Sequence, residues 1–189
     1  MRTPHPMSDE GCELGIVGLG AMGHNLLLNA VDRGLAVAGL DRDEAAAART
    51  GSAAASPRAA HVGVDANAFV AALRTPRTIM LLVPAGEAVD ATLQQLAPLL
   101  APDDVVIDAG NSHFRDTERR IDDLDRRGLH LLGLGVSGGP RGARQGPGLM
   151  PGGSRAAYER AEPLLARLAA RLDDEPNVAY LGAGGAGHH

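Results

Sequence analysis

Six consecutive residues, Gly18-Leu19-Gly20-Ala21-Met22-Gly23, have the types and spacing suited to holding a phosphate. The first glycine permits a tight turn, the second lets the backbone approach a pyrophosphate, and the third lets a helix pack closely on a strand. The phosphate charge then rests on unsatisfied N–H groups at the helix start, helped by the helix dipole. Context makes the pattern informative: the apolar run Leu14–Leu19 leads into it and the amphipathic stretch Met22–Arg33 continues from it. The competing reading is a glycine-rich turn that binds nothing.

Asp41 ends the next apolar run, at about the distance beyond the glycines where an acid accepts hydrogen bonds from adenosine ribose hydroxyls, which favours NAD. A 2′-phosphate would be repelled by Asp41 and Asp43, yet Arg42 between them can pair with a phosphate or stack on adenine. NAD and NADP both stay open, and a solvated loop with a helix cap is the simpler account of these three residues. Val83-Pro84-Ala85, leading to Gly86, leaves a later apolar run at its carboxyl end, where open α/β sheets bind ligands, and is expected beside the nicotinamide half. Pro84 would equally serve to stop the strand before a helix at Glu87.

The elements that must position these loops alternate along the chain. Strands are predicted at Leu14–Leu19, Ala36–Leu40, Thr78–Val83, Val105–Asp108, Leu129–Leu134 and Val178–Leu181. Helices are predicted at Met22–Arg33, Asp65–Leu73, Glu87–Leu100, Arg115–Arg127 and Ala156–Leu172, with a short helix and then a loop between Ala45 and Ala60. Runs such as Ile79-Met80-Leu81-Leu82-Val83 fit strands buried on both faces. The fold class is therefore α/β, a Rossmann-type doubly wound, mainly parallel sheet with helices on both faces. Residues 1–10 read as a disordered leader, 11–182 as the domain, and 183–189 as a glycine-rich tail.

Length and composition bound the function. A chain of 189 residues makes one full domain. Its net charge of −5, with 18 Lys and Arg among 23 acids, offers no basic face for nucleic acid. One cysteine, Cys12, can form neither an intrachain disulfide nor a thiolate metal site, which fits a reducing, cytoplasmic compartment. No apolar stretch reaches the roughly twenty residues of a membrane helix, so no membrane partner is expected. His113, His130, His188 and His189 lack metal-ligand spacing, and His24 lies in the glycine-loop helix, so no metal site is expected.

Two further stretches carry a resemblance: Ile107-Asp108-Ala109-Gly110-Asn111-Ser112, and the run from Gly135-Val136-Ser137-Gly138-Gly139-Pro140-Arg141 to Gly148-Leu149-Met150-Pro151-Gly152-Gly153. With the glycine loop and Arg115-Asp116-Thr117 they resemble, in register from about Gly15 to His188, the coenzyme domain of decarboxylating 6-phosphogluconate dehydrogenases. That resemblance implies cofactor contacts from Gly18 to Gly23, Asp41 to Asp43, Val83, Pro84 and Ala85. It makes Asn111 a contact for both nicotinamide ribose and sugar acid, and Ser137, Gly138 and Gly139 a cradle for a sugar-acid phosphate. Each stretch follows a predicted strand, so hydroxyl, amide and N–H groups would converge on one crevice able to hold a carboxylate and hydroxyls.

The departures matter too. NADP-using members of that family carry Asn-Arg-Thr where this chain has Asp41-Arg42-Asp43, so the family default of NADP stands against an acid that favours NAD. Pro84 replaces a lysine of some members, Ala109 a glycine, and Pro140-Arg141 an acidic pair beside the substrate loop. The family continues beyond the position of His188 into a helix bearing a lysine general base and a glutamate general acid, then a large helical domain. The expectation is that no catalytic residue lies within the chain, and that it binds cofactor but turns over little sugar acid alone. A stand-alone nucleotide-binding or regulatory module and a related β-hydroxyacid dehydrogenase are the alternatives.

Overall fold

The computed structural model describes residues 11–56 and 58–189, so the reading of residues 1–10 as a leader falls outside the described part. Four fully buried tetrapeptides form parallel strands: β1 (Leu14–Val17), β2 (Val37–Leu40), β4 (Thr78–Leu81) and β5 (Val105–Asp108). With both faces covered they carry no polar alternation, as sheets flanked by helices require. They join β3 (Ala59–Gly63), β6 (His130–Ser137) and β7 (Gly148–Gly153) in one sheet of order β3-β2-β1-β4-β5-β6-β7. All pairings are parallel except β6 with β7. The doubly wound, mainly parallel architecture is the expected one.

Helices α1 (Ala21–Asp32), α2 (Glu44–Ala53), α6 (Gly139–Gln145) and α7 (Arg155–Leu168) cover one face, and α3 (Ala66–Ala71), α4 (Glu87–Leu96) and α5 (Phe114–Asp125) the other. Alternate strand residues divide between the two cores: Ile16, Met80, Ile107 and Leu132 face α1 and α7, while Val17, Ile79, Leu81 and Val106 face α3 and α4. Side-chain caps set several starts, since Asp43, Asp65 and Ser154 each accept a backbone N–H of the helix they open. Among the described residues no helix is long and apolar enough to cross a membrane.

Several sequence expectations are corrected. β3 begins at the end of the Ala45–Ala60 segment read as helix and loop and runs past it into residues given no element; it is an edge strand of Ala-Ala-His-Val-Gly, too weakly apolar to stand out. β7 and α6 were hidden in glycine-rich sequence, because their conformation is stabilised by packing against β6 and α1 rather than by propensity. Val178–Leu181 is not a regular strand: it runs along β7 through one isolated parallel bridge, Val178 with Leu149, with the Ala179 N–H donating to the Leu149 carbonyl and the Leu181 N–H to the Pro151 carbonyl. α7 ends at Leu168, and Arg171–Leu172 instead pairs as β8 with β9 (Glu175–Pro176).

The end of the chain is not a free tail. Gly184–His188 forms a 3-10 turn with Gly185 and Gly187 buried. A Cβ on Gly187 would lie 2.2 Å from the Gly133 carbonyl oxygen, and one on Gly152 would lie 2.1 Å from the Gly187 nitrogen. Backbone thus rests directly on backbone across β6 and β7, a contact that hydrophobic pattern cannot announce.

Candidate functional site

The loops after β1, β2, β4, β5 and β6 meet along the carboxyl edge of the sheet, on either side of the β1–β4 boundary where the strand order reverses. The structure brings every predicted site residue to this edge.

On the β1–β2 side, Gly18 turns with φ of 89° and Gly20 caps α1. Gly23 and Gly20 have opposite surroundings: a Cβ on Gly23 would sit 1.8 Å from the Gly18 carbonyl oxygen, whereas one on Gly20 would meet nothing within 4 Å. The third glycine is filled by the fold and the second faces open space. The His24 N–H donates to the Gly20 carbonyl at 2.9 Å, leaving the preceding N–H groups of the first turn without a helical partner.

Asp41 stands at the end of β2 with both carboxylate oxygens engaged. Oδ2 accepts the Leu19 N–H at 2.5 Å and Oδ1 the Asp43 N–H at 2.9 Å. Asp43 accepts the Ala45 N–H and caps α2, while Arg42 is exposed. From α2, Arg49 donates to the Leu19 carbonyl at 3.4 Å, so an acid and a base grip the two ends of one residue of the glycine loop. His24 shares a 2.9 Å hydrogen bond with Thr50, and burial, reinforced by Arg49 and Arg144, holds its pKa below the ordinary histidine value.

On the β4–β5 side, Val83 and Ala85 flank exposed Pro84 in the loop to Gly86, which caps α4 with φ of 88°. The Gly110 backbone presses on this loop, since a Cβ there would lie 2.5 Å from the Val83 carbonyl oxygen. Asn111 is exposed in the left-handed region at φ of 57°, a conformation asparagine tolerates. Its two neighbours hang from one carboxylate: Asp108 Oδ1 accepts the Gly110 N–H at 3.0 Å and Oδ2 the Ser112 hydroxyl at 2.6 Å.

That carboxylate is fully buried, and its counter-charge is Arg120 of α5, 1% exposed. Arg120 Nη1 donates to Ser112 Oγ at 2.8 Å and to Asp108 at 3.3 Å, Nε to Asp90 at 2.8 Å, and Nη2 to the Gly86 carbonyl at 2.9 Å. The Arg120 hydrogen bond, opposed by burial and reinforced by Arg119, holds the Asp90 carboxyl below its usual pKa. The sequence reading missed Arg120, Asp108 and Asp90. A signal existed: Thr117, Arg120 and Leu124 form the buried stripe of α5, and an arginine within an apolar stripe needs a buried acid.

Beyond β5, exposed Ser137 ends β6, and Gly138 and Gly139 follow with φ of 107° and 58° as α6 begins. The Ser137 hydroxyl lies close over Gly148 of β7, where a Cβ would come within 2.6 Å of it. His188, at the end of the terminal turn, is fixed through both ring nitrogens: Nε2 accepts the Leu134 N–H at 3.2 Å and Nδ1 is 2.7 Å from the Thr117 hydroxyl. Accepting at Nε2 makes Nδ1 the protonated nitrogen of a neutral ring, and burial keeps its pKa low.

Comparison with known proteins gives a consistent picture. Residues 13–182 match the family described as the NAD binding domain of 6-phosphogluconate dehydrogenase. The chain is 45% identical over 177 residues to a decarboxylating 6-phosphogluconate dehydrogenase of Synechococcus elongatus, covering 94% of this chain and 38% of that protein. Two Bacillus subtilis relatives, one NADP-dependent and one NAD-dependent, are 43% and 44% identical. Among solved structures, Plasmodium falciparum 6-phosphogluconate dehydrogenase, described in its apo form and with NADP+ and with 6-phosphogluconate, superposes with a TM-score of 0.88 at 33% identity, over 94% of this chain and 38% of that one. A 3-hydroxyisobutyrate dehydrogenase from Salmonella typhimurium follows at 0.78 and 28%, over 93% of this chain and 58% of that one. The chain therefore spans well under half the length of the 6-phosphogluconate dehydrogenases it matches.

Proposed function

The chain belongs to the 6-phosphogluconate dehydrogenase family through its NAD-binding domain, and from that premise we propose that it binds NAD extended across the carboxyl edge of the sheet. The observation that carries this reading is the contrast within the glycine loop: the fold fills the space at Gly23 and leaves it open at Gly20, beside the unpaired N–H groups of α1. A diphosphate fits there by charge and by clearance. Leu19, Ala21 and Met22 complete that wall; Asp41 receives the adenosine ribose; Val83, Pro84, Ala85 and Asn111 line the nicotinamide half.

We assign NAD rather than NADP to the adenosine end. The Asp41 carboxylate is held in place by the Leu19 and Asp43 N–H groups, so it cannot swing away from a 2′-phosphate without losing both bonds. Exposed Arg42 lowers the penalty for NADP without removing it. Relatives of both preferences occur at nearly equal identity, so family membership leaves this choice to the residues themselves.

The substrate proposed is a phosphorylated sugar acid, with its carboxylate and hydroxyls at Asn111, the Ser137 hydroxyl and the N–H groups of Gly138 and Gly139. Bound nicotinamide supplies the hydride acceptor for oxidation of a sugar hydroxyl. We assign the acid and base groups of the decarboxylation, as the family resemblance implies, to a part of the family's length these residues do not span, together with a helical partner domain. Calorimetric titration of the purified chain with NAD and then NADP tests the reading, with NAD expected to bind more tightly. Adding 6-phosphogluconate should give no reduced cofactor. Absence of binding by either nucleotide would overturn the assignment, and turnover would demand a base within these residues.

A further inference from the structure

The four acceptors around the Arg120 guanidinium come from three places: Asp90 on α4, the Gly86 carbonyl after β4, and Asp108 and Ser112 bracketing the loop after β5. Gly110 and Ser112, the two neighbours of Asn111, hang from the same Asp108 carboxylate that Arg120 neutralises. The two loops also touch directly, through the close approach of Gly110 to the Val83 carbonyl. None of the Arg120 acceptors belongs to Gly18–Gly23 or to Asp41–Asp43. We propose that Arg120 is a positioning residue that locks the loops Val83–Gly86 and Gly110–Ser112 into one wall, and so sets affinity for the nicotinamide half of the coenzyme while leaving the adenosine half untouched.

The chemistry of the side chain supports this division. A guanidinium is a planar fork whose donors point in fixed directions, so it can hold a carbonyl, a hydroxyl and two carboxylates at once; an ammonium on a flexible stem cannot reproduce that spread. On its Asp108 and Ser112 arm the fork is buried, so water cannot replace those bonds without entering the core, whereas Asp90 on the other arm is partly exposed. Loss of the fork therefore releases both loops together, whereas Asp41 and Arg49 continue to hold Leu19 on the far side.

The inference rests on the coenzyme reading, and two measurements separate them. In ligand-free protein, Arg120→Lys should raise hydrogen exchange at 83–86 and 110–112 by about tenfold and leave 18–23 within about twofold. By calorimetry, the same variant should bind NAD about tenfold more weakly and ADP, which lacks the nicotinamide half, within about twofold of the unmodified chain. Should Arg120→Lys fail to fold, Asp90→Asn weakens the solvent-facing arm of the fork alone and should shift NAD, not ADP, by about threefold. Parallel loss of NAD and ADP, or no loss of either, would overturn the proposal, as would exchange rising equally at 18–23. If the unmodified chain binds neither nucleotide, the coenzyme reading fails, while the exchange pattern still decides whether Arg120 couples the two loops.

Discussion

The two halves of the crevice are held by different physics. On the proposed adenosine side the Asp41 carboxylate accepts backbone N–H groups directly, and the glycine loop sits on the start of α1 with no space at Gly23. Every part of that arrangement is close in sequence or ends a strand. On the proposed nicotinamide side the loops depend on a buried charge network whose hub, Arg120, lies in a helix beyond them and is matched by Asp108 at the carboxyl end of β5. The first half is built by local backbone geometry and the second by desolvated charges, so they should fail in different ways when disturbed.

The strongest challenge to that contrast is Gly23→Ala. Its Cβ would collide with backbone that cannot rotate aside, so the start of α1 must shift; the expected cost is about 3 kcal/mol in urea unfolding, with loss of binding for NAD and ADP alike. Next in size, Ser112→Ala removes a partner from both Asp108 and Arg120 and should cost about 1–3 kcal/mol. Its effect on ADP binding should be negligible, and equal weakening of ADP would show that the halves are not separate. Asp41→Asn should move the ratio of NAD to NADP affinity about tenfold toward NADP, or roughly 1.4 kcal/mol, read by paired titrations. An unchanged ratio would remove Asp41 as the discriminator.

A smaller effect comes from pH. The His188 ring is held neutral, with its folded pKa below the ordinary 6.5. Between those two values the unfolded chain binds the extra proton and the folded one does not, so stability rises with pH there. The contribution is fully present above about 6.5 and is lost as pH falls toward the folded value. Asp108 opposes this shift and Arg120 adds to it, while Thr117 and the Leu134 N–H are the direct partners. Unfolding midpoints measured from pH 7.5 to 5 should fall more steeply for the natural chain than for His188→Asn, and identical slopes would remove His188 as the cause.

Much of the β1–β2 half was legible because its signals are local: an apolar strand, three glycines at fixed spacing and an acid at the end of the next strand. The same reasoning placed Asn111 and Ser137 at one edge, since each follows a strand in a parallel sheet. It missed β7, whose Gly148-Leu149-Met150-Pro151-Gly152-Gly153 reads as a loop until β6 offers it a ladder. The final glycines read as a tail by composition alone, because backbone packed on backbone leaves no hydrophobic trace.

The sequence by itself determined the alternating α/β class, the phosphate-suited loop and the acid at the end of the second strand, because each depends on neighbours a few residues apart or on strand ends that parallel topology must align. Only the tertiary structure decided that Asp41 is pinned by Leu19, that Arg120 meets Asp108, and that His188 is a neutral clasp between Thr117 and Leu134. Those contacts join residues 12 to 71 positions apart. Their strength comes from burial, and burial exists only once the sheet and both helical layers have closed around them.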